Sequence, residues 1–262
     1  MILDGSKLSR EIAAKLKRKI KRLKRKPGLF IVQIGNLSAS NRYIERKKIF
    51  AAKIGTIAES KKFPSNISRK RLDSIISKLN NDKAVHGIIV QEPLPKHLQN
   101  ISGNIAEEKK VDGGKYFIPA TTKGILTLLK KYKVKIAGKK LTVVGRSNLV
   151  GLPTALEMLK RDATVTICHR KTGNLKEETK RADILIVAAG RPKLISKNHV
   201  SRNQVVIDIG INVLKNGKLC GDVDFKNVSK IVKAISPVPG GVGPMTVASL
   251  FENLLEAHKL QS

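Results

Sequence analysis

Short runs of aliphatic and β-branched residues recur along the chain and alternate with longer amphipathic stretches. The runs that we interpret as buried strands are residues 29–34, 87–90, 141–144, 164–168, 184–188 and 205–209. Strands that alternate with helical patterns indicate βα units and a mostly parallel sheet, hence an α/β fold. Ligands in open sheets of this kind bind beyond the carboxyl ends of the strands, so the residues after each run are candidates for function.

The amphipathic stretches predict helices between these strands. The first helix carries an apolar stripe at helical spacing and is closed by Pro27-Gly28. The other predicted helices are residues 38–53, 72–79, 122–132, 153–161 and the end of the chain. Because the helix at residues 122–132 leads into a new set of strands, we place a domain boundary near residues 115–122.

Composition narrows the class of protein. With 262 residues, of which 41% are hydrophobic, the chain can bury a core, which argues against disorder. No apolar run approaches the roughly 20 residues that span a bilayer, and the amino terminus lacks the pattern of a secretory signal. We therefore expect a cytoplasmic protein without a membrane segment. Cys168 and Cys220 lie far apart and outside any metal-ligand spacing, so neither a disulfide nor a zinc site is predicted.

The net charge of +32 is the most unusual bulk property. Such an excess is compatible with nucleic-acid binding. However, the basic residues run through the whole chain, only three Tyr and six Phe can stack on bases, and the sequence has no zinc-finger or RNP-type motif. We favour a lysine-rich solvated surface over specific nucleic-acid binding, which stays as an alternative. The same surface would also attract a polyanionic small substrate.

A glycine-bracketed turn follows the predicted strand at residues 141–144 and precedes a helix. Free backbone N–H groups at such a helix start can receive a phosphate, which suggests a nucleotide site at Gly145, Arg146 and Ser147. The spacing of the glycines matches neither the G-x-G-x-x-G fingerprint nor the phosphate loop. A tight βα connection without a ligand is therefore the alternative interpretation.

Basic residues at the next strand end favour NADP over NAD. A NAD-specific site usually offers an acidic residue there to the ribose hydroxyls, whereas this chain has His169, Arg170 and Lys171. Together with Arg146, these groups suit a ribose 2′-phosphate. The alternative is that they are ordinary surface cations of a basic protein.

Two further patterns are chemically informative. Tyr43 and Lys47 lie four residues apart in a predicted helix and share one face. A lysine held beside a phenol in a dry cleft can exchange protons near neutrality, although a solvated helix face is the alternative. The run at residues 236–246 contains three glycines and three prolines, which predicts a shaped and partly rigid loop.

Six segments of the chain carry a family resemblance. They are SASNRYIERK at residues 38–47, VQEPLP at 90–95, VDG at 111–113, GRSNLVGLP at 145–153, VIDIGIN at 206–212 and PVPGGVGPMT at 237–246. In this order they resemble the signature segments of the bifunctional methylenetetrahydrofolate dehydrogenase/cyclohydrolase family. The resemblance extends over nearly the whole chain, and the last segment is very specific.

The resemblance implies two domains, a βα catalytic domain and a Rossmann-like NADP-binding domain with a parallel sheet, and a cleft between them. Residues 1–118, completed by the C-terminal helix at 245–262, would form the first domain, and residues 119–244 the second. The enzyme would oxidise 5,10-methylenetetrahydrofolate with NADP and hydrolyse the product to 10-formyltetrahydrofolate. Tetrahydrofolate derivatives would be its ligands, a homodimer its assembly, and one-carbon metabolism its setting.

The resemblance also implies roles for single residues. Lys47 would manage proton transfer and water attack at the bridging carbon, Gln91 would position and tune Lys47, and Tyr43 would orient the folate. Asp112 would hydrogen-bond the pterin ring. The residues that would line the folate pocket are Pro239, Gly240, Gly241 and Val242. The residues that would contact the cofactor are Gly145, Arg146, Ser147, Arg170 and, on the nicotinamide side, Ile211.

The chain departs from the family pattern in three places. Glu92 stands where the family has leucine, and we expect this carboxylate to pair with Lys47 and to raise its pKa. Lys110 and Gly114 stand where Asp and Phe usually flank the VDG segment. The segment after Asp112 is shortened, and that region helps to wall the folate pocket. The balance of the two activities therefore stays open, with a monofunctional NADP oxidoreductase on the same scaffold as an alternative.

Overall fold

The computed structural model describes residues 1–214 and 216–262. Within them the chain forms two compact units. The three-stranded unit comprises Arg10–Ala120 and Val247–Ser262, and the five-stranded unit comprises Met1–Ser9 and Thr121–Thr246. Among the helices of those residues, none combines the length and the apolar character that a membrane span requires.

Helices and strands alternate in the first part of the chain. In order, the elements are α1 (Gly5–Lys21), β1 (Gly28–Ile34), α2 (Ser38–Ile54), β2 (Ile57–Phe63), α3 (Arg69–Asn81) and β3 (Gly87–Gln91). The three strands form a parallel sheet in the order β2-β1-β3. Three short 3-10 helices follow, at Lys96–Leu98, Ile101–Asn104 and Glu107–Lys109.

The helices of this unit end where the local sequence caps them. α2 stops before Gly55, whose φ of 79° is a conformation that glycine adopts without strain, and the Gly55 amide donates back to the carbonyl groups of Ala51 and Ala52. α3 begins after Ser68, whose hydroxyl accepts a hydrogen bond from the Arg71 amide. Local residues therefore determine where α2 ends and where α3 begins.

The central strand β1 is buried along almost its whole length and anchors the core of this unit. Side chains of β1, α3 and β3 that share one cluster are Val32, Ile34, Leu72, Ile76, Leu79, Ile88 and Val90. The register aligns Gln33 of β1 with Lys62 of β2 and with Gln91 of β3. Residues in register on parallel strands face the same side, so polar side chains meet at the carboxyl edge of this sheet.

The second part of the chain forms a larger sheet. Its elements are α4 (Ala120–Lys131), β4 (Lys140–Val144), α5 (Gly151–Leu159), β5 (Thr164–Cys168), α6 (Leu175–Lys180), β6 (Ile184–Val187), β7 (Val205–Asp208), β8 (Asn212–Val213), β9 (Leu219–Cys220), α7 (Phe225–Val228), β10 (Ala234–Ile235) and α8 (Val242–Leu260). Five strands are parallel in the order β10-β7-β6-β4-β5, and β8 pairs with β9 in antiparallel fashion.

The first nine residues lie with the five-stranded unit, whereas the sequence analysis placed them in the first domain. The Ile235 amide of β10 donates to the Met1 carbonyl at 3.0 Å, and the Leu3 amide donates to the Ile235 carbonyl at 2.9 Å. The amino terminus thus supplies backbone hydrogen bonds that the outermost strand of the sheet lacks on that side.

The last helix, α8, fastens the segment after β3 within the three-stranded unit. Phe251 of α8 stacks on Phe50 of α2, with ring centroids 5.2 Å apart. The side-chain amide of Asn253 donates to the carbonyl groups of Val111 and Ile118, at 2.8 and 2.9 Å. These bonds hold both ends of the short segment that begins at Asp112.

The six predicted strands are present, with ends shifted by at most one residue. The helix predicted at residues 153–161 instead runs from Gly151 to Leu159, so it begins inside the glycine-bracketed turn. That shift matters for the glycine-bracketed turn, because it brings the helix start closer to Gly145.

Candidate active site and cofactor turn

Lys47 and Gln91 form the centre of a candidate active site in the three-stranded unit. Lys47 lies on α2 and is only 9% exposed, and its ammonium donates a hydrogen bond to Gln91 Oε1 at 2.6 Å. Gln91 is the last residue of β3, and its Nε2 donates to the Glu92 carbonyl at 2.9 Å. This second bond turns the amide so that its oxygen faces the lysine.

Burial lowers the pKa of Lys47 from its ordinary value, because a buried ammonium loses its hydration. The carboxylate of Asp112 acts against this effect and raises the pKa. From the sequence, Glu92 was expected to play that part. The charge of Glu92 does not contribute to the pKa of Lys47, and burial raises the pKa of the Glu92 carboxyl itself, against a backbone hydrogen bond from Leu94.

Asp112 is held in place at the start of α4. Its Oδ1 accepts a hydrogen bond from the Ala120 amide at 2.7 Å. The two residues that follow, Gly113 and Gly114, have φ values of 122° and 84°, which side-chain-bearing residues rarely adopt. Glycine at position 114 therefore permits the tight course of the shortened segment. Among the residues that the structure describes, none donates to the second oxygen of Asp112, so this oxygen can accept from a ligand.

Tyr43 lies one helical turn before Lys47 on α2 and is half-buried. Burial raises the pKa of its phenol, and the charges of Arg46 and Arg42 lower it. Its hydroxyl has no hydrogen-bond partner among the residues that the structure describes, so the ring and its hydroxyl are free to contact a ligand.

A polar network lies beside this site and was not predicted from the sequence. Gln33, buried at the end of β1, donates from Nε2 to Asn41 Oδ1 at 2.6 Å. Asn41 and Lys62 both donate to Asn36 Oδ1, at 2.9 and 2.8 Å. The available signal was Gln33 itself, a single polar residue inside the apolar run at residues 29–34 and in register with Gln91.

The five-stranded unit contains a point where the strand order reverses. The chain passes from β4 to β5 on one side and then crosses to β6 on the other side, so β4 and β6 are neighbours whose connections leave in opposite directions. Such a point is where dinucleotides bind in open α/β sheets. At this point Gly145 has a φ of 121°, and a Cβ there would collide with the Ala188 carbonyl. Only glycine fits this close approach.

The turn between β4 and α5 contains backbone N–H groups that are available to a ligand. The amides of residues 146–149 have no acceptor within the described parts of the chain. The Ser147 hydroxyl oxygen accepts hydrogen bonds from the Val150 and Gly151 amides at 3.2 and 3.3 Å, which closes the turn just before α5. A Cβ on Gly151 would strike the Gly145 carbonyl. Free amides at a helix start fit the phosphates of a dinucleotide.

Exposed cations flank this turn. Arg146 lies in it, and Arg170 and Lys171 follow β5 in a turn that Thr172 closes. The His169 amide donates to Thr172 Oγ1 at 2.9 Å, and the Thr172 amide donates to the His169 carbonyl at 2.8 Å. Within residues 1–214 and 216–262, neither arginine forms an ion pair. Both guanidinium groups are therefore available to an anionic ligand.

The loop before α8 is tied down in the same unit. The Gly241 amide donates to the Pro237 carbonyl, and the Ser6 amide to the Gly240 carbonyl, each at 2.8 Å. Ile211 approaches this region, since its Cδ1 lies 3.8 Å from where a Cβ of Gly243 would be.

The structure thus sorts the predicted site residues into two groups. In the three-stranded unit, Lys47 is hydrogen-bonded to Gln91 and the charge of Asp112 acts on it, with Tyr43 on the same helix as Lys47. The residues that lie in the five-stranded unit are Gly145, Arg146, Ser147, Arg170, Ile211, Pro239, Gly240, Gly241 and Val242.

Comparison with known proteins agrees with this division. The sequence model for the tetrahydrofolate dehydrogenase/cyclohydrolase catalytic domain matches residues 3–112. The model for the tetrahydrofolate dehydrogenase/cyclohydrolase NAD(P)-binding domain matches residues 119–262.

Individual relatives are similar over almost their full length. The bifunctional protein FolD of Bacillus anthracis is 43% identical over 276 aligned residues, which cover 99% of this chain and 96% of the relative. The crystal structure of bifunctional FolD, a methylenetetrahydrofolate dehydrogenase/cyclohydrolase from Campylobacter jejuni, is 39% identical with a TM-score of 0.96 and covers 100% and 99% of the two chains. FolD of Trypanosoma brucei, complexed with NADP and an inhibitor, is 31% identical with a TM-score of 0.93 and covers 99% and 97%.

Replacing Asp112 by Asn is expected to lower the pKa of Lys47 further. The substitution removes the carboxylate that raises this pKa and keeps an oxygen for the Ala120 amide, so at a given pH a smaller fraction of Lys47 is protonated. An NMR titration of the lysine side-chain resonances, with that of Lys47 assigned from a Lys47→Met variant, measures the shift.

The matched control is Glu92→Gln, which should leave the titration of Lys47 in place because the Glu92 charge does not act on it. A larger shift in Glu92→Gln than in Asp112→Asn would show that the wrong carboxylate has been identified.

Proposed function

The chain belongs to the tetrahydrofolate dehydrogenase/cyclohydrolase family, and from that premise we propose that it carries out both reactions with the two residue groups described above. It would oxidise 5,10-methylenetetrahydrofolate to 5,10-methenyltetrahydrofolate with NADP and hydrolyse the methenyl group to give 10-formyltetrahydrofolate. The observation that carries this proposal is the buried Lys47 ammonium on Gln91 with Asp112 acting on its pKa. One-carbon metabolism in the cytoplasm is the proposed setting.

Lys47 is the proposed proton-transfer residue of the hydrolysis. Water adds to the methenyl carbon, a proton passes from that water to the Nζ of Lys47 in its neutral amine form, and the bond from this carbon to N5 then breaks as N5 receives that proton from Lys47. The second proton of the water leaves to solvent, and the formyl group stays on N10. A lysine whose pKa is lowered by burial can both accept and return a proton near neutrality, and Gln91 holds its Nζ in place.

Asp112 and Tyr43 are the proposed folate contacts in the three-stranded unit. The Asp112 oxygen not engaged by Ala120 can accept from the pterin ring, and the Tyr43 ring can stack on the folate. In the five-stranded unit the folate contacts are proposed to come from Pro239, Gly240, Gly241 and Val242.

The cofactor is proposed to bind at the turn between β4 and α5. Its phosphates would meet the free amides after Gly145 and the Ser147 hydroxyl, its 2′-phosphate would meet Arg146 and Arg170, and Ile211 would lie on the nicotinamide side. When bound, NADP supplies the acceptor for the hydride that leaves the methylene carbon. The NADP complex of the Trypanosoma brucei relative supports the choice of cofactor.

Substitution of Lys47 by Met is expected to reduce methenyltetrahydrofolate hydrolysis by about 100-fold or more, because general acid–base catalysis contributes at least that much. The loss of methenyl absorbance measures hydrolysis, and reduction of NADP with methylenetetrahydrofolate measures the dehydrogenase.

Lys53→Met, an exposed lysine on the same helix, is the control and should hydrolyse at the unsubstituted rate. Near-normal hydrolysis by Lys47→Met would refute the assigned role. If the unsubstituted enzyme catalyses only one of the two reactions, it is monofunctional.

Changing both Arg146 and Arg170 to Ala is expected to lower the preference for NADP over NAD by about tenfold or more. Each hydrogen bond to a charged group contributes roughly 1.5–3 kcal/mol. The substitutions remove such bonds to the 2′-phosphate of NADP, whereas NAD has no 2′-phosphate and loses none. The ratio of kcat/KM values for the two cofactors measures the effect. Arg202→Ala, at the amino edge of the same sheet, should leave the ratio unchanged, and an unchanged ratio in the double variant would contradict the assignment.

We also propose that the chain forms a homodimer through α5 and β5. β5 is an edge strand of the five-stranded sheet, and apolar side chains stand exposed beside it: Leu149, Leu152, Leu156, Leu159 and Ile167. An exposed apolar ridge beside an open strand edge is typical of a subunit interface, and a two-fold axis would pair the ridge with itself.

Leu156→Glu is expected to yield a monomer, because it places two carboxylates in the apolar centre of the proposed interface. Light scattering coupled to size-exclusion chromatography measures the mass. Leu260→Glu, which changes a similarly exposed leucine near the carboxyl end, is the control and should stay dimeric. A monomeric unsubstituted protein, or a dimeric Leu156→Glu variant, would rule out this interface.

A further inference from the structure

Two buried carboxylates in the five-stranded unit belong neither to the candidate active site nor to the turn between β4 and α5. Asp208, the last residue of β7, is 2% exposed, and Asp222, two residues after β9, is fully buried. Neither forms an ion pair with any residue in the described parts of the chain. A buried carboxylate without a cation is expensive unless its oxygens are hydrogen-bonded, so their partners indicate what they do.

Asp222 joins the ends of two strands. Its Oδ2 accepts from the Ala189 and Gly190 amides, at 2.6 and 2.8 Å, in the turn that follows β6. Its Oδ1 accepts at 2.8 Å from Nδ2 of Asn212, the first residue of β8, where the loop that follows β7 ends. One carboxylate therefore sets the distance between these two loops.

Asp208 holds Asp222 in turn. Its Oδ1 accepts from the Gly210 and Asp222 amides, each at 3.0 Å, and its Oδ2 accepts from the Val223 amide at 2.9 Å. Burial raises the pKa of Asp208 to about 7, and the charge of Asp222 adds to this, while the three amide bonds lower it.

Two glycines make room for the carboxylates. A Cβ on Gly210 would collide with the carboxylate of Asp222, and a Cβ on Gly221 would collide with that of Asp208. The glycine in the VIDIGIN segment is therefore explained by the carboxylate that it admits. A loop packed around Asp222 in this way depends on that carboxylate for its position.

Both loops border the point where the strand order reverses. The Ala188 carbonyl, one residue before the amides that Asp222 holds, lies against Gly145 of the cofactor turn. On the other loop, Asn212 directly follows Ile211. The amides of Ala189 and Gly190 are engaged by Asp222, whereas the amides of residues 146–149 are open to a phosphate.

We propose that Asp222 is a positioning residue for the dinucleotide, which holds the loops after β6 and β7 at the spacing that the part of the cofactor beyond the phosphates requires, with Asp208 as its support. The inference rests on the proposed function in that the dinucleotide is taken as the ligand of this crevice. Asp222 touches loop atoms rather than the reacting groups, so its effect falls on cofactor binding.

The test is Asp222→Asn, measured by NADPH fluorescence titration and by KM for NADP. The new amide keeps an oxygen for Ala189 and Gly190 but turns an NH2 group toward the NH2 group of Asn212. Because Asn212 Nδ2 also donates to the Cys220 carbonyl at 3.5 Å, which favours its present orientation, two donors then face each other. We expect the Kd for NADPH and the KM for NADP to rise about tenfold or more. Hydrolysis of methenyltetrahydrofolate needs no dinucleotide and should stay within about twofold.

The reciprocal variant Asp222→Asn/Asn212→Asp restores a donor opposite an acceptor. It should recover NADPH affinity to within about threefold of the unsubstituted protein, a gain that two independent losses would not give. Asp183→Asn, an aspartate at the amino edge of the same sheet that accepts from the Lys140 amide, is the control and should bind NADPH normally. Asn212→Ala, at a partly exposed position, tests the same link if Asp222→Asn does not fold.

Several outcomes would overturn the inference. Normal NADPH affinity in Asp222→Asn, or in Asn212→Ala should that be the variant that folds, would do so, as would a double variant no better than the single ones. Hydrolysis and melting temperature that fall together with NADPH affinity would show a role in stability alone. Failure of the proposed function is distinguishable, because an unsubstituted protein that binds NADPH but does not oxidise methylenetetrahydrofolate still allows every binding measurement.

Discussion

The Lys47 ammonium is removed from water and bonded to a neutral amide, and the three-stranded unit is arranged around that contact. Burying an ammonium costs several kcal/mol unless a partner compensates. A carboxylate in direct contact would favour the charged form and hold the proton on the lysine. Gln91 compensates only in part, and Asp112 acts from further away while its Oδ1 is engaged by the Ala120 amide. The proton on Lys47 is therefore held weakly, which is what proton transfer requires.

A second buried lysine shows what the alternative looks like. Lys109 donates from Nζ to the carbonyl groups of Leu79 and Asp82, at 3.2 and 2.8 Å, around the end of α3. Burial lowers its pKa too, against the charges of Asp82 and Glu108. Because helix-end carbonyl groups favour a cation and cannot swing away, this lysine serves the fold. A lowered pKa is thus common to both lysines, and only the hydrogen-bond partner separates Lys47, the proposed proton-transfer residue, from the structural Lys109.

Local sequence patterns predict part of the fold and part of the site. Apolar runs predict the buried strands, and the Tyr43–Lys47 spacing places both side chains on one helix face. β2 has no such run, because IAESKKF alternates polar side chains along an edge of the sheet and buries little except Phe63. Nothing in its pattern separates it from a loop.

Long-range partners are what the sequence could not supply. Glu92 is adjacent to Gln91 in the chain and was the natural partner for Lys47, yet neighbouring residues of an extended segment point in opposite directions. Asp112 acts instead, brought there by a fold that α8 fastens through Asn253. The first nine residues follow the same rule, because their place depends on the unpaired side of β10 and not on their own pattern.

Both units hold a buried charge with neutral dipoles in a chain whose surface is strongly basic. Lysine and arginine are abundant, 52 against 20 acidic residues, yet Asp208 and Asp222 are bonded to backbone amides and to Asn212. An ammonium or guanidinium group would bring a long, flexible side chain into the loops, whereas amides fix the distance between two backbones directly. The surface charge acts over a Debye length of about 8 Å at physiological salt. It therefore draws anionic ligands toward the protein, while burial and nearby dipoles set the chemistry of the site.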